Sequence, residues 1–486
     1  MIEERLLAYD YDEELEGFGE PETPLADEPS LSGAEKGALA LVGLGALSLT
    51  VQTAGGPLAG TWPGLLSSLG LLSLGAVLFF WTSLRDTTPG IKHDGTFFRS
   101  LLTRGGLGWL AGIVMTGFYL LLYWFPASLG HSDAGEPTGL IRVVDPLARP
   151  LTGYPASQWF LYGVLYTLAI LVFGVRMLMK YRHNRYQRLR TVSVFVFQFA
   201  FAWLLPNLLV KLRYPYMEFN GVWPLKNDYL WPDKVLGFVD AGAMGKFLLI
   251  WALAAALIGT PVLTYFFGKR WYCSWVCGCG GLAETAGDPW RQLSNKSTTA
   301  WAIERWLIHA VLVLVVLTTA VVWADHRLGL FGSASGPLKQ WYGFYIGAVF
   351  SGVVGVGFYP LLGNRVWCRF GCPQAALLGL FQRVFSRFRI TTNGGQCMSC
   401  GNCSTYCEMG IDVRAYAERS ENVVRASCVG CGVCAAVCPR GVLKLENGLP
   451  GDRFDGSDRP LTALTESFRR PDIYGYEPWR APEQPD

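Results

Sequence analysis

The sequence predicts a mostly α protein: a polytopic transmembrane helix bundle of about eight spans, followed by a small α+β ferredoxin domain of the bacterial two-cluster type. Three observations carry that prediction. Over 486 residues the composition is 51% hydrophobic and only 16% charged, with a mean hydropathy of +0.26, too apolar for a water-soluble chain of this length. Eight apolar runs reach the length of about 20 residues that a bilayer crossing needs. All thirteen cysteines fall between Cys273 and Cys438, and eight of them form two runs of one spacing. The net charge of +3 singles out no class of partner, and no nucleic-acid patch, phosphate loop or nucleophile triad stands out.

Residues 1–36 form an acidic arm, with Glu3, Glu4, Asp10, Asp12, Glu13, Glu14 and Glu16 where a cleavable signal needs a basic start and an early apolar core. It reads as a solvated arm, with docking to a basic partner as the sharper alternative. The bundle occupies 37–390, with spans expected near 37–55, 63–82, 106–125, 159–179, 191–211, 246–267, 307–324 and 341–362. Lys and Arg concentrate in one set of loops, from Arg85 to Arg104, Arg182 to Arg190, Lys269 to Arg305 and Arg365 to Arg389. That asymmetry puts both termini and the cysteine-rich domain on the cytoplasmic side of an inner membrane, and topology alone accounts for the basic loops. The opposite loops, near 126–158, 212–245 and 325–340, are rich in Pro, Gly, Trp and Tyr and read as interfacial caps. In the fifth span, Gln198 and Asn207 beside Pro206 offer a quinone contact, or equally helix packing around a proline kink. Of five histidines only His309 falls inside a span, so a bis-histidine haem lacks its ligands.

Beyond the last span, Arg383 to Ile390 reads as a basic connector and Thr391 to Gly395 as a linker into a ferredoxin-like domain, 391–446, with an irregular Pro-rich tail at 447–486. Within that domain Cys397, Cys400, Cys403 and Cys407 repeat the C-x2-C-x2-C-x3-C spacing of Cys428, Cys431, Cys434 and Cys438. This spacing lets three thiolates wrap one Fe4S4 cube while the fourth reaches across to its neighbour. Two [4Fe-4S] clusters follow: Cys397, Cys400, Cys403 and Cys438 around one, and Cys428, Cys431, Cys434 and Cys407 around the other. Structural zinc sites favour two pairs separated by a longer finger, and x2 spacings close loops too short for good disulfides. One departure from the motif is Glu408, which follows Cys407 where Pro439 follows Cys438.

A second repeat ends the sixth and eighth spans. Gly268, Arg270, Cys273 and Cys277 are in register with Gly363, Arg365, Cys368 and Cys372, giving two C-x3-C pairs that face each other if the units are pseudo-symmetric. Spacing i, i+4 sets both thiols of a pair on one side of a helical turn. Three readings stay open: a further iron–sulfur or other metal centre, a redox-active or copper-handling thiol set, and cysteines packed as small apolar residues. Cys279 has no counterpart in the other repeat, where Gln374 stands, and reads as a bystander.

The run Lys269 to Glu284, its continuation Gly287-Asp-Pro-Trp290, the Trp367 to Pro373 motif and the two ferredoxin motifs resemble the NosR and NapH family of membrane polyferredoxins, with CcoG relatives more distant. The resemblance covers roughly the last half of the chain. It implies an accessory electron-transfer protein of periplasmic nitrous oxide or nitrate reductases, and matches Cys273, Cys277, Cys368 and Cys372 to the family's paired membrane Cys motifs. No flavin-binding domain of the NosR kind lies between the first spans, and the N-terminal spans exceed those of NapH. The expected function is thus membrane-bound iron–sulfur electron transfer between the cytoplasmic side or the quinol pool and a membrane or periplasmic redox protein. Quinol or a soluble cytoplasmic donor are the candidate electron sources, and the lipid bilayer is the chain's solvent. The alternatives are a copper or metallocentre assembly factor and a redox-sensing membrane regulator.

Overall fold

The computed structural model describes residues 31–85, 105–132, 135–330 and 335–447. The acidic arm up to residue 30, the basic residues Lys92, Arg99 and Arg104, and the tail from residue 448 lie outside the described residues. Among the described residues, seven helices are long and apolar enough to cross a membrane: Gly33–Thr53, Trp62–Arg85, Gly106–Trp124, Gln158–Lys180, Arg185–Lys211, Gly242–Phe267 and Thr298–Leu328. The first starts at a capping box, in which the Glu35 amide donates to Ser32 Oγ at 3.2 Å and the Ser32 amide donates back to Glu35 Oε2 at 2.8 Å. The stretch expected as an eighth span is helical over Ser335–Tyr342, continues in wider π turns over Gly343–Val354, and resumes at Tyr359–Leu362. Wide turns also precede Pro206 and Pro261, at Phe197–Leu204 and Ala255–Gly259. A proline lacks the N–H that closes an α turn and its ring clashes with the carbonyl four residues back, so the preceding turn opens.

The helices alternate in direction, so the connections between spans 1 and 2, 3 and 4, 5 and 6, and 7 and 8 share one side, here called the far side. There, Gly139–Val143 and Asp145–Thr152 form two short helices joined at Val144, and Ile141, Val143, Val144 and Ala148 are buried against Leu65, Leu122 and Phe160. The expected cap is therefore a packed layer. The loop after Lys211 instead turns inward: the Phe219 amide donates to the Phe201 carbonyl, halfway along the fifth span, at 3.1 Å.

On the near side the two sequence repeats have one shape. Each span ends at a glycine with positive φ, Gly268 (66°) and Gly363 (91°), where a Cβ would run into Gln382 and Phe388 or into Ser294. A short helical segment follows, then Cys277 or Cys372 as the first residue before a returning helix, Gly278–Glu284 or Pro373–Phe385. The units interlock: Gln382 of the second accepts from the Lys269 amide at 2.7 Å, and Asn364 donates to the Ala283 carbonyl of the first at 2.7 Å.

The end of the expected connector, Arg383 to Ile390, and the start of the expected linker, Thr391 to Gly395, form a strand instead. Arg389–Thr392 pairs antiparallel with Leu443–Glu446, Arg389 opposite Glu446 and Thr392 opposite Leu443. Its β-branched Ile390, Thr391 and Thr392 are buried, which explains why a short Gly-flanked stretch is ordered.

Candidate iron–sulfur centres

The cysteine-rich half is two copies of one backbone. Positive φ recurs at Ser399 and Gly430, at Gly401 and Gly432, and at Gly410 and Gly441, so each loop turns at the same three places. Gly401 and Gly432 start the helical turns Asn402–Thr405 and Val433–Ala436 that carry Cys403 and Cys434. The last cysteine of each run accepts a backbone N–H, Ile411 to Cys407 Sγ at 3.4 Å and Val442 to Cys438 Sγ at 3.3 Å. Two cavities of equal size result. Cys397, Cys400, Cys403 and Cys438 line one; Cys407, Cys428, Cys431 and Cys434 line the other. Burial pushes the Cys403 and Cys428 thiols up to about 11, so a metal that takes them as thiolates must displace protons that hold on firmly at neutral pH.

The two cavities differ in setting. The first lies at the periphery, with Cys400 exposed and Met398 55% exposed beside it. The second sits on the membrane half. Ser274 Oγ donates to the Val429 carbonyl at 2.8 Å, Tyr186 to Gly430 at 2.8 Å, Gln187 to Cys431 at 2.8 Å and Gln382 to Cys428 at 2.9 Å. Arg270 stacks over Phe388 at 4.4 Å.

Cys273, Cys277, Cys368 and Cys372 are all buried and share one core with Cys403, Cys428 and Cys434. Cys277, next to Gly278, sits level with the middle of the fifth span. From Gly278, beside Gln198, the chain passes Val194 at Gly281 and Arg190 at Glu284, reaching Lys180 at Asp288. Gln198 is 13 residues beyond Arg185, about 20 Å of helix. Cys372 caps its helix, accepting the Ala375 amide at 3.4 Å, a position where the helix dipole favours a thiolate.

Between the two cysteine regions lies a network of buried charge that sequence reasoning missed. Arg365 grips Glu284 at 2.6 Å and Glu408 at 3.1 Å; Arg291 grips Glu408 at 2.7 Å, Asp288 at 3.1 Å and Glu284 at 3.3 Å. Arg190 joins Glu284, while Arg176 and Lys180 hold Asp288 at 2.6 and 2.7 Å. Burial alone would raise the Glu408 carboxyl, but Arg291 and Arg365 hold it well below the usual range. These basic residues, expected to report topology only, are enclosed: Arg190, Arg291 and Arg365 are each 1% exposed. The only sequence signals were Glu408 in place of proline and Asp288 in the Gly-Asp-Pro-Trp run. Five cations face three carboxylates, an excess of two positive charges. Anionic thiolate-held clusters fit that excess, since an uncompensated buried charge is costly.

A cavity of about 840 Å³ fills the far half of the bundle. Its lining runs from Tyr154 and Tyr216, both exposed, past Glu218, Lys226 and Asn207 to Gln198, Cys277 and Cys279. Cys279, expected to be a bystander, thus lines this space with Cys277. From the far side, Asn220 Nδ2 donates to the Val276 carbonyl at 3.3 Å, and its own carbonyl accepts from Tyr272 at 2.9 Å.

Residues 396–443 match the 4Fe-4S dicluster domain family, and residues 249–296 and 345–391, the two repeated units, match a 4Fe-4S binding domain family. Among curated relatives, the chain is 26% identical over 181 residues to the putative electron transport protein YccM of Escherichia coli, covering 35% of this chain and 50% of that one. It is 28% identical over 203 residues to the methylamine utilization ferredoxin-type protein MauN of Paracoccus denitrificans (38% and 68%), and 26% identical over 201 residues to the ferredoxin-type protein NapH of Escherichia coli (38% and 67%). The chain thus spans half to two thirds of the length of these relatives. No solved structure matches. The resemblance to the NapH-type polyferredoxins holds: the chain carries 4Fe-4S binding domains beside a set of helices able to span a membrane several times, and the relatives it matches are named as electron transport and ferredoxin-type proteins.

Proposed function

We propose that the chain is a relay of the cytoplasmic membrane, carrying electrons between a donor at its ferredoxin-like half and a redox partner in or beyond the membrane. The observation that carries this reading is the single buried core running from Cys403, Cys428 and Cys434 into Cys273, Cys277, Cys368 and Cys372. In it, Cys397, Cys400, Cys403 and Cys438 hold the peripheral cluster, and Cys407, Cys428, Cys431 and Cys434 hold the one docked on the bundle. Cys273, Cys277, Cys368 and Cys372 hold a third, membrane-embedded centre. When bound, such clusters take up and release single electrons; the chain sets their potentials through burial, charge and hydrogen bonds to sulfur. Ser274, Tyr186, Gln187 and Gln382 hold the second cluster site against the bundle and exclude water from the junction.

The Lys and Arg distribution supports a cytoplasmic position for the ferredoxin-like half, 391–446, and for both termini. The exposed Cys400 edge suits a soluble cytoplasmic donor, and the cavity bearing Gln198 and Asn207 suits quinol exchange. The acceptor in this reading is a membrane or periplasmic redox protein, in keeping with relatives named as electron transport and ferredoxin-type proteins.

The test is iron and acid-labile sulfide per chain, with EPR of protein purified anaerobically in detergent. A relay contains clearly more than the roughly eight irons of two cubes, and Cys273→Ser or Cys368→Ser removes one EPR signal. Unchanged iron and unchanged electron flux in those variants would eliminate the third centre. A second reading, metallocentre assembly, is favoured by one observation: Cys279 adds a fifth thiol beside Cys277 where a cube takes four. Copper bound at these thiols without iron or sulfide selects it.

A further inference from the structure

Glu408 is the residue where the two ferredoxin motifs part company, and its carboxylate is fully buried between two guanidiniums. Each guanidinium also touches sulfur. Arg365 Nη1 lies 3.5 Å from Cys368 Sγ, in the membrane half, and Arg291 Nη1 lies 4.0 Å from Cys431 Sγ, in the ferredoxin-like half. One carboxylate therefore bridges two cations, each seated on a thiol of a different cysteine set.

We propose that the Arg365–Glu408–Arg291 bridge sets the relative reduction potentials of the two centres it joins, with Glu408 trimming the field of both arginines. The inference rests on the relay reading for the membrane centre. A cation on a cluster sulfur stabilises the reduced, more negative state and raises its potential; a carboxylate between the cations offsets that rise. Because all three side chains are shielded from solvent, these charges act with little screening. Arg365 also donates to the Cys273 carbonyl at 3.3 Å, so its guanidinium is oriented independently of Glu408. The equivalent position in the other half, Pro439, is uncharged and exposed, so the peripheral site lacks this trim. Glu408, Arg365 and Arg291 are positioning residues: they act on the electron through the sulfurs.

A docking role alone predicts that any change to the bridge damages the centres in the same direction. Tuning predicts opposite signs. In EPR-monitored redox titrations of the full-length protein, Glu408→Gln removes the negative charge at constant size and should shift both neighbouring centres to higher potential. Arg365→Gln should shift them lower, most at the centre held by Cys368, and Arg365→Lys should recover part of that shift. At a fixed applied potential each change alters the reduced-to-oxidised ratio at least threefold. Should Arg365→Gln lose iron, Arg291→Gln and Glu408→Gln carry the same sign comparison at the Cys431 centre, with Arg291→Lys recovering part of the downward shift. Shifts of one sign, or none at full iron content, overturn the proposal. If the third EPR signal is missing but the Cys431 centre still shifts upward in Glu408→Gln, the relay reading fails and the two-centre proposal with it, leaving a charge effect on the Cys431 centre alone. If the third signal is present and nothing shifts, the tuning fails alone.

Discussion

The two halves of the cysteine-rich region share a backbone and differ in everything outside it. Gly401 and Gly432 have φ of 75° and 73°, yet a Cβ on Gly401 meets open space while one on Gly432 comes within 2.8 Å of the Tyr186 ring. Cys438 is followed by an exposed proline, Cys407 by a glutamate buried between Arg291 and Arg365. An internal duplication thus supplies two identical cradles, and single neighbouring residues decide which faces solvent and which is welded to the membrane. The relation between cysteine spacing and cluster binding is local; the assignment of roles is tertiary.

That contrast can be broken most severely at the thiols. Cys431→Ser should lose the docked cluster and with it the order of the junction, cutting iron by about a third of the three-centre content and opening the 391–395 region to protease. Cys400→Ser should lose only the peripheral cluster, and near-equal protease sensitivity of the two variants would contradict the asymmetry. Next comes the charge. Glu408→Ala leaves two buried guanidiniums short of a partner and should cost about 3–5 kcal/mol in denaturant unfolding, against within about 0.5 kcal/mol for Pro439→Ala at the matching exposed position. A smaller effect separates the glycines: Gly401→Ala should cost about 1–2 kcal/mol from backbone alone, and Gly432→Ala distinctly more because Tyr186 must also move. Equal costs would mean that Tyr186 yields freely. Smallest is Ser274→Ala, which removes one donor to the Val429 carbonyl and should cost about 1 kcal/mol with no change in iron content.

Much of this was legible in the chain. Apolar runs of the right length mark the spans, and the repeated C-x2-C-x2-C-x3-C spacing marks the two cradles because the cluster's own geometry dictates where thiolates fall. The Gly268 and Gly363 repeat likewise announced two equivalent turns. What stayed hidden are pairings between distant positions. Glu408 meets Arg291 from 117 residues away and Arg365 meets Glu284 from 81, separations that carry no periodicity. A buried arginine in a loop also looks identical to one that merely reports membrane topology, so Arg190, Arg291 and Arg365 were read by composition rather than contact. The junction of connector and linker became a strand because Ile390 and Thr391 found Leu445 and Lys444 opposite, partners more than 50 residues on. The depth of Cys277 follows from a returning helix, and no hydropathy window distinguishes that from a surface loop.

The meeting of Asn220 with Val276 and Tyr272 has an electrical consequence. A loop from one side and a cysteine motif from the other touch inside the bundle, with the large cavity that bears Glu218, Lys226 and Asn207 behind the contact. Where solvent-accessible space reaches that far inward, the insulating layer is thinner than the lipid around it, and a transmembrane voltage drops over the remaining distance. Moving one charge through the whole of a 100 mV potential is worth about 2.3 kcal/mol. If the proposed relay holds a centre at Cys277, an electron there has crossed part of that drop, so its occupancy should respond to membrane voltage, while occupancy at a peripheral centre on Cys400 should respond less.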